Sequence, residues 1–235
     1  MSFSKYQNFI HSQKSDKWRD LYLKFLDDYK IESALEIGSG TPDFLIKLKA
    51  NKKLALDGGI KFKNDFLKNN IDFFQVDLDY GNLPDFNELD LVVSSDVLEH
   101  LIYPQRAVNF AFKILKKNGL FISHVPNEFY YSYLIKILLG LKKSNIFHYE
   151  IEEYNNPHLR RFTKIGYLEL LEKKFKYNLF VSDLYYNFLC KFFQKLNLNP
   201  PYMFEPGPTF ISTNDKSVYD YFINKKNLLK KNLIF

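Results

Sequence analysis

The sequence predicts an α/β fold, a doubly wound and mostly parallel sheet with helices on both faces. Two observations carry this. Short apolar runs alternate with amphipathic stretches along most of the chain, the pattern of successive strand–helix–strand units. The first run, Ala34-Leu35-Glu36-Ile37, also leads directly into Gly38-Ser39-Gly40-Thr41-Pro42-Asp43. That is a strand, a tight turn and a helix start, with Thr41 as N-cap and Pro42 at the first helical position. Such a unit binds a nucleotide-like ligand at the carboxyl end of its strand.

The elements follow in order. Trp18, Leu21, Tyr22, Phe25 and Leu26 recur at helical spacing, predicting a helix over about 16–29. A short helix over 42–50 turns Phe44, Leu45 and Leu48 inward, and Lys53–Asp57 is a second strand closed by an acid and Gly58-Gly59. A helix over 60–69 precedes a third strand, Asp72–Val76, which ends at Asp77-Leu78. Leu89–Ser94 has the continuous apolar character of a buried parallel strand. The helix over 103–117 is expected to stop at a left-handed Asn118-Gly119 cap before a fifth strand, Leu120–Val125. A very apolar helix (129–141), a helix (163–174), strands at 177–182 and 210–213 and a terminal helix (217–229) complete the reading. No repeat or linker divides the chain, so residues 1–235 are expected to form one domain. The aromatic stretches 128–157 and 184–208 are expected to be insertions that act as a lid or pair two copies.

Composition narrows the function classes. Hydrophobic residues at 46% and charged residues at 26% are globular values, but 24 Phe and 17 Tyr exceed what one core needs. The net charge is +6, with lysines spread along the chain instead of clustered in a basic stripe; Asn224–Lys231 comes nearest and reads as a solvated helix face. This argues against a nucleic-acid partner. Cys190 is the single cysteine, so no intramolecular disulfide or thiolate metal cluster is available. The N-terminal residues lack an apolar targeting core, and no stretch approaches the ~20 apolar residues of a membrane span. A soluble, cytoplasmic protein is the expectation.

The charges at the first turn select the ligand. Glu36 enters the turn and Asp43 sits in the first helical turn, where a pyrophosphate would be repelled from both sides. A cationic, phosphate-free cofactor is favoured, and S-adenosylmethionine, with its ammonium and sulfonium, is one. Asp57, one strand–helix–strand unit later, stands where such domains accept hydrogen bonds from ribose hydroxyls.

With five strands placed, the chain resembles the class I S-adenosylmethionine-dependent methyltransferases. More narrowly it is similar to the small-molecule branch of quinone-ring and of sugar and surface-polysaccharide methyltransferases. The resemblance rests on Glu36-x-Gly38-x-Gly40, the block Leu89–Leu101 with Ser95-Asp96-Val97-Leu98-Glu99-His100, Leu115–Gly119 running into Val125-Pro126-Asn127, and His158-Leu159-Arg160-Arg161-Phe162-Thr163. It implies a Rossmann-like sheet of seven strands with the last antiparallel, helical and aromatic lid insertions, and S-adenosyl-L-methionine as cofactor. By position, Gly38 and Gly40 let the backbone approach the cofactor, Asp57 holds the ribose, Asp77 the adenine amino group and the Leu78 N–H the ring. Ser95 lies beside the methionine moiety, and Glu36, Ser39 and Gly58 complete the set. Pro42 stands where the family usually has a third glycine.

A hydroxyl acceptor needs a base, and His124 near the end of the fifth strand is the first candidate, with His100 the second. On a helical turn Asp96, Glu99 and His100 share one face; the resemblance to the quinone-ring branch implies a divalent cation as one use of such a face, whereas no metal is expected here. His158, Arg160 and Arg161 could hold an anionic acceptor. The resulting expectation is methyl transfer to oxygen or nitrogen of a small molecule such as a sugar nucleotide or surface-polysaccharide precursor. The alternative is a non-catalytic, cofactor-binding regulatory or scaffold protein. A flipped nucleobase is disfavoured, since no Asn-Pro-Pro-Tyr-type motif closes the fourth strand.

Overall fold

The computed structural model describes residues 17–141 and 158–232. Its elements run α1 (Lys17–Leu26), β1 (Ser33–Ile37), α2 (Asp43–Lys47), β2 (Lys52–Asp57), α3 (Lys63–Lys68), β3 (Asp72–Gln75), β4 (Leu89–Ser95), α4 (Pro104–Ile114) and β5 (Leu115–His124). They continue α5 (Tyr131–Leu138), α6 (Lys164–Glu172), β6 (Tyr177–Phe180), α7 (Phe188–Lys195), β7 (Thr209–Thr213) and α8 (Lys216–Asn232). The seven strands form one sheet in the order β3-β2-β1-β4-β5-β7-β6. Only β7 runs antiparallel, against both β5 and β6.

Side-chain alternation along the strands splits the core in two. Leu91 and Val93 of β4 join Trp18, Leu21 and Phe25 of α1, Phe44 of α2 and Phe222 of α8 on one face. Val92, between them, joins Val108 and Ala111 of α4 and Tyr167 and Leu171 of α6 on the other. The three layers leave the carboxyl ends of β1, β2, β3, β4 and β5 along one edge.

Two local expectations change. Residues 115–119 belong to β5 and not to the end of α4, and Gly119 has no left-handed backbone. Leu89 pairs with Leu115 and Leu91 with Leu120, so the intervening residues bulge out of register. The anchor there is Asp90, whose carboxylate accepts from the N–H groups of Glu32 and Ser33 and from the Lys116 ammonium, at 2.7–3.0 Å. Burial raises the Asp90 pKa, but Lys116 and these donors outweigh it and hold the group below its ordinary value. The second change is at α2, which begins at Asp43 with Pro42 as the N-cap residue. Thr41 caps no backbone N–H; its hydroxyl donates to Asp43 at 2.7 Å.

Candidate functional site

The turn after β1 is held by its neighbours in the sheet. Gly38 and Gly40 both have left-handed backbones, which a glycine adopts without steric cost. The Gly38 N–H donates to the Leu56 carbonyl at 2.7 Å. A side chain there would drive its Cβ to 2.3 Å from Val97, so this glycine is required by packing against the segment after β4. The Gly40 N–H donates to Asp57 at 2.9 Å, and the other Asp57 oxygen accepts from Gly59 at 2.7 Å. Asp57 thus ties the first turn to the second, while its half-exposed carboxylate keeps lone pairs for further donors.

Glu36 is wholly buried, and Arg19 of α1 donates to it at 2.7 Å with a guanidinium that also reaches the Ser39 carbonyl at 3.4 Å. The anionic turn read from the sequence is therefore a paired one. Arg19 was not foreseen, although a guanidinium next to Trp18 on the inward stripe of α1 is the available signal. Together the pair offers an anion for an ammonium and a cation for a carboxylate, a fit for a zwitterionic amino-acid end. Asp77, beyond β3, accepts from the N–H groups of Asp79 and Tyr80 in a local turn. Leu78 packs in the core, and the Gly58 carbonyl takes the Gln75 side chain at 3.3 Å. Asp79, also unforeseen, accepts from the N–H groups of Ile102 and Tyr103 and so fixes the segment after β4.

The other half of the edge lies beyond β4 and β5. Ser95 ends β4, 3.5 Å from the Tyr22 hydroxyl. Asp96 follows with a left-handed backbone, its N–H on the His124 carbonyl at 3.2 Å. His124 is only 2% exposed. Its Nδ1 lies 2.9 Å from the Thr209 hydroxyl, its Nε2 3.5 Å from Asp96, and its ring stacks on Trp18 at 4.4 Å. Asp96 itself is 44% exposed and faces outward from this buried histidine.

The expected Asp96–Glu99–His100 face is only partly realised, because Leu98–His100 forms a 3-10 turn and Asp96 precedes it in a non-helical conformation. Glu99, His100 and His158 instead bring one ligand-type atom each within 4.8 Å of one another. Glu99 is 1% exposed, and neither carboxylate oxygen has a hydrogen-bond partner among the described residues. Burial, then the neighbouring Asp96 charge, push its pKa well up. His158 bonds to Glu128, which also takes Arg161 at 3.2 Å. Arg160 donates to the Ile102 carbonyl at 2.6 Å. Glu150, Glu152 and Glu153, the nearby acids in sequence that could instead pair with these residues at the surface, lie outside the described residues.

This edge has counterparts elsewhere. A family profile described as "Methyltransferase domain" matches residues 9–177. The chain belongs to that family. It is a class I methyltransferase that uses S-adenosylmethionine, and the sheet order above is the fold expected of one. Among solved structures, a methyltransferase from Thermotoga maritima titled a possible histamine N-methyltransferase superimposes with TM-score 0.54 at 20% identity, over 84% of this chain and 91% of that one. An S-adenosylmethionine-dependent methyltransferase from Clostridium acetobutylicum gives 0.57 at 14%, over 85% and 92%. The N-methyltransferase NodS from Bradyrhizobium japonicum, solved with S-adenosyl-L-homocysteine, gives 0.51 at 12%, over 85% and 86%. At these identities the likeness is one of fold. No curated protein sequence matches. Among the described residues of this methyltransferase, no helix is long and apolar enough to cross a membrane.

Proposed function

We propose that the enzyme methylates an oxygen or nitrogen of a small polar acceptor, of the sugar-nucleotide or surface-polysaccharide-precursor kind. In this reading Glu36, Gly38, Ser39, Gly40, Asp57, Gly58, Asp77, Leu78 and Ser95 line the cofactor site, with Arg19 added to them. S-Adenosylmethionine supplies an electrophilic methyl group on an excellent leaving group, so the protein's task is alignment, exclusion of water and, for a hydroxyl acceptor, removal of a proton.

The observation that carries the acceptor chemistry is the Thr209–His124–Asp96 chain at the carboxyl edge of β5. With Nδ1–H directed to Thr209, Nε2 takes the acceptor proton by way of the exposed Asp96 carboxylate beside it, and that carboxylate stabilises the imidazolium that results. An amine acceptor would not need this step. His100, with His158 and Arg161 around Glu128, orients the acceptor. Burial holds the Glu99 pKa up, and transfer proceeds with no metal on that cluster. The expected lid insertions are 128–157, of which 142–157 lie outside the described residues, and 184–208, which Glu205 ties to Lys164 of α6 and to Tyr186 with bonds of 2.7–2.9 Å.

The test is to mix the enzyme with S-adenosylmethionine and a pool of sugar nucleotides and look for a mass gain of one methyl group. Cofactor binding with no methylated product from this pool or from small amines and phenols would refute the acceptor class. Loss of turnover after dialysis against a chelator, restored by Mg²⁺ or Mn²⁺, would refute the metal-free reading.

A further inference from the structure

Two neighbouring helices leave their apolar side chains outside the core. α5 buries none of its residues, and α7 buries only Cys190. Four of the five most exposed large apolar side chains among the described residues lie on these helices or in the three residues after α5: Leu138 at 84%, Phe188 at 80%, Leu141 at 74% and Leu139 at 66%. The helices lean on the same support. Tyr131 and Phe193 both pack against Phe204, with ring centroids 5.5 and 6.0 Å away, and Asn187 at the start of α7 donates to the Tyr130 hydroxyl at 3.1 Å.

The charge on these segments has one sign. Neither 129–141 nor 184–204 contains an Asp or Glu, whereas both carry lysines, exposed at Lys136, Lys191 and Lys195. Most other helices differ: α1, α3 and α8 carry Asp20, Asp65 and Asp220, and α6 carries Glu169 and Glu172, while α4, which also lacks an acid, buries six of its eleven residues. Exposed Leu and Phe set among cations, without a single anion, form the chemistry of a helix lying in a bilayer interface. A protein partner's surface gives no such reason to exclude every carboxylate.

We propose that the α5–α7 surface seats the enzyme on the face of an anionic lipid bilayer, the apolar side chains entering the headgroup boundary and the lysines meeting lipid phosphates. This goes beyond the reading of the methyl acceptor and does not depend on it. The contact is interfacial; neither helix has the length to span.

Co-sedimentation of the whole chain with vesicles tests it. Phosphatidylcholine vesicles containing phosphatidylglycerol should bring the enzyme down, pure phosphatidylcholine should not, and added salt should weaken binding. The double variant Leu138→Glu/Phe188→Glu should lose at least about tenfold in vesicle affinity. Lys136→Ala and Lys191→Ala should each lose about fivefold. An unchanged thermal unfolding midpoint in these variants shows that the fold persists. Absence of sedimentation with either vesicle would overturn the proposal, as would variants that bind like the parent. So would a dimer that Leu138→Glu/Phe188→Glu dissociates and that ignores vesicles, since a second copy would then cover this face.

Discussion

The β1–β2 end of the carboxyl edge and the β4–β5 end are built in different ways. At the first, backbone groups do most of the holding: Gly38 on Leu56, Gly40 and Gly59 on Asp57, all within two adjacent turns. At the second, side chains far apart in sequence meet: His124 with Thr209, Glu128 with His158 and Arg161, Trp18 over His124. A cofactor common to many enzymes can be held by geometry that short sequence motifs specify. An acceptor peculiar to one enzyme is met by contacts that only the finished fold assembles.

Arg19 breaks that division, and its removal has the largest expected effect. Arg19→Ala leaves the buried Glu36 carboxylate without its cation, which should cost about 3–5 kcal/mol of stability in a denaturant melt. If the guanidinium also meets the cofactor's carboxylate, Arg19→Lys, which keeps the charge but loses the fork, should raise the dissociation constant for S-adenosylmethionine while recovering much of that stability. Equal cofactor affinity in Arg19→Lys and the parent would make Arg19 purely structural.

His124→Gln probes the other end. As the base for a hydroxyl acceptor, its loss should lower kcat about 10²–10⁴-fold with cofactor affinity unchanged. A drop in stability with kcat intact would mean that the ring under Trp18 is packing alone. Asp57→Ala is expected to be milder, weakening cofactor binding by about 1–3 kcal/mol, read by calorimetry. Unaltered binding would leave Asp57 only its two turn bonds and remove it from the cofactor site.

The same contrast explains what the sequence made legible. The α/β class, the strand positions and the Glu36–Gly40 turn follow from apolar periodicity and glycine spacing, both local properties. Arg19 escaped because an ion pair across α1 and β1 leaves no spacing signal. Asp96 escaped its expected face because a positive backbone angle interrupts the helical count between it and Glu99. The run 115–119 has the local character of a helix end, since lysines and Asn-Gly suit a C-terminus, whereas pairing of Leu115 with Leu89 and of Lys116 with Asp90 is long-range. In each case tertiary contact overrode a local preference.

The smallest effect concerns Glu99, and it is read by pH. Burial, then the Asp96 charge, raise its pKa in the folded protein, so the native state holds a proton that the unfolded chain releases near the ordinary glutamate value. The stabilisation tied to that proton is fully present below the unfolded pKa and is lost as pH rises through the folded one. Glu99→Gln cannot release a proton, so its stability should no longer fall across this window. The gain over the parent at neutral pH should be about 1 kcal/mol, the usual size of a single-substitution effect. Asp90 supplies the opposite slope: its pKa is lowered, so its contribution is present above the unfolded pKa and is lost as pH falls through the folded one. Unfolding curves of the two variants Glu99→Gln and Asp90→Asn should therefore diverge from the parent in opposite senses with pH. Parallel curves for Glu99→Gln and the parent would mean that its carboxyl is ionised in the fold and stabilised by a cation, which would return the Glu99–His100–His158 cluster to consideration as a metal site.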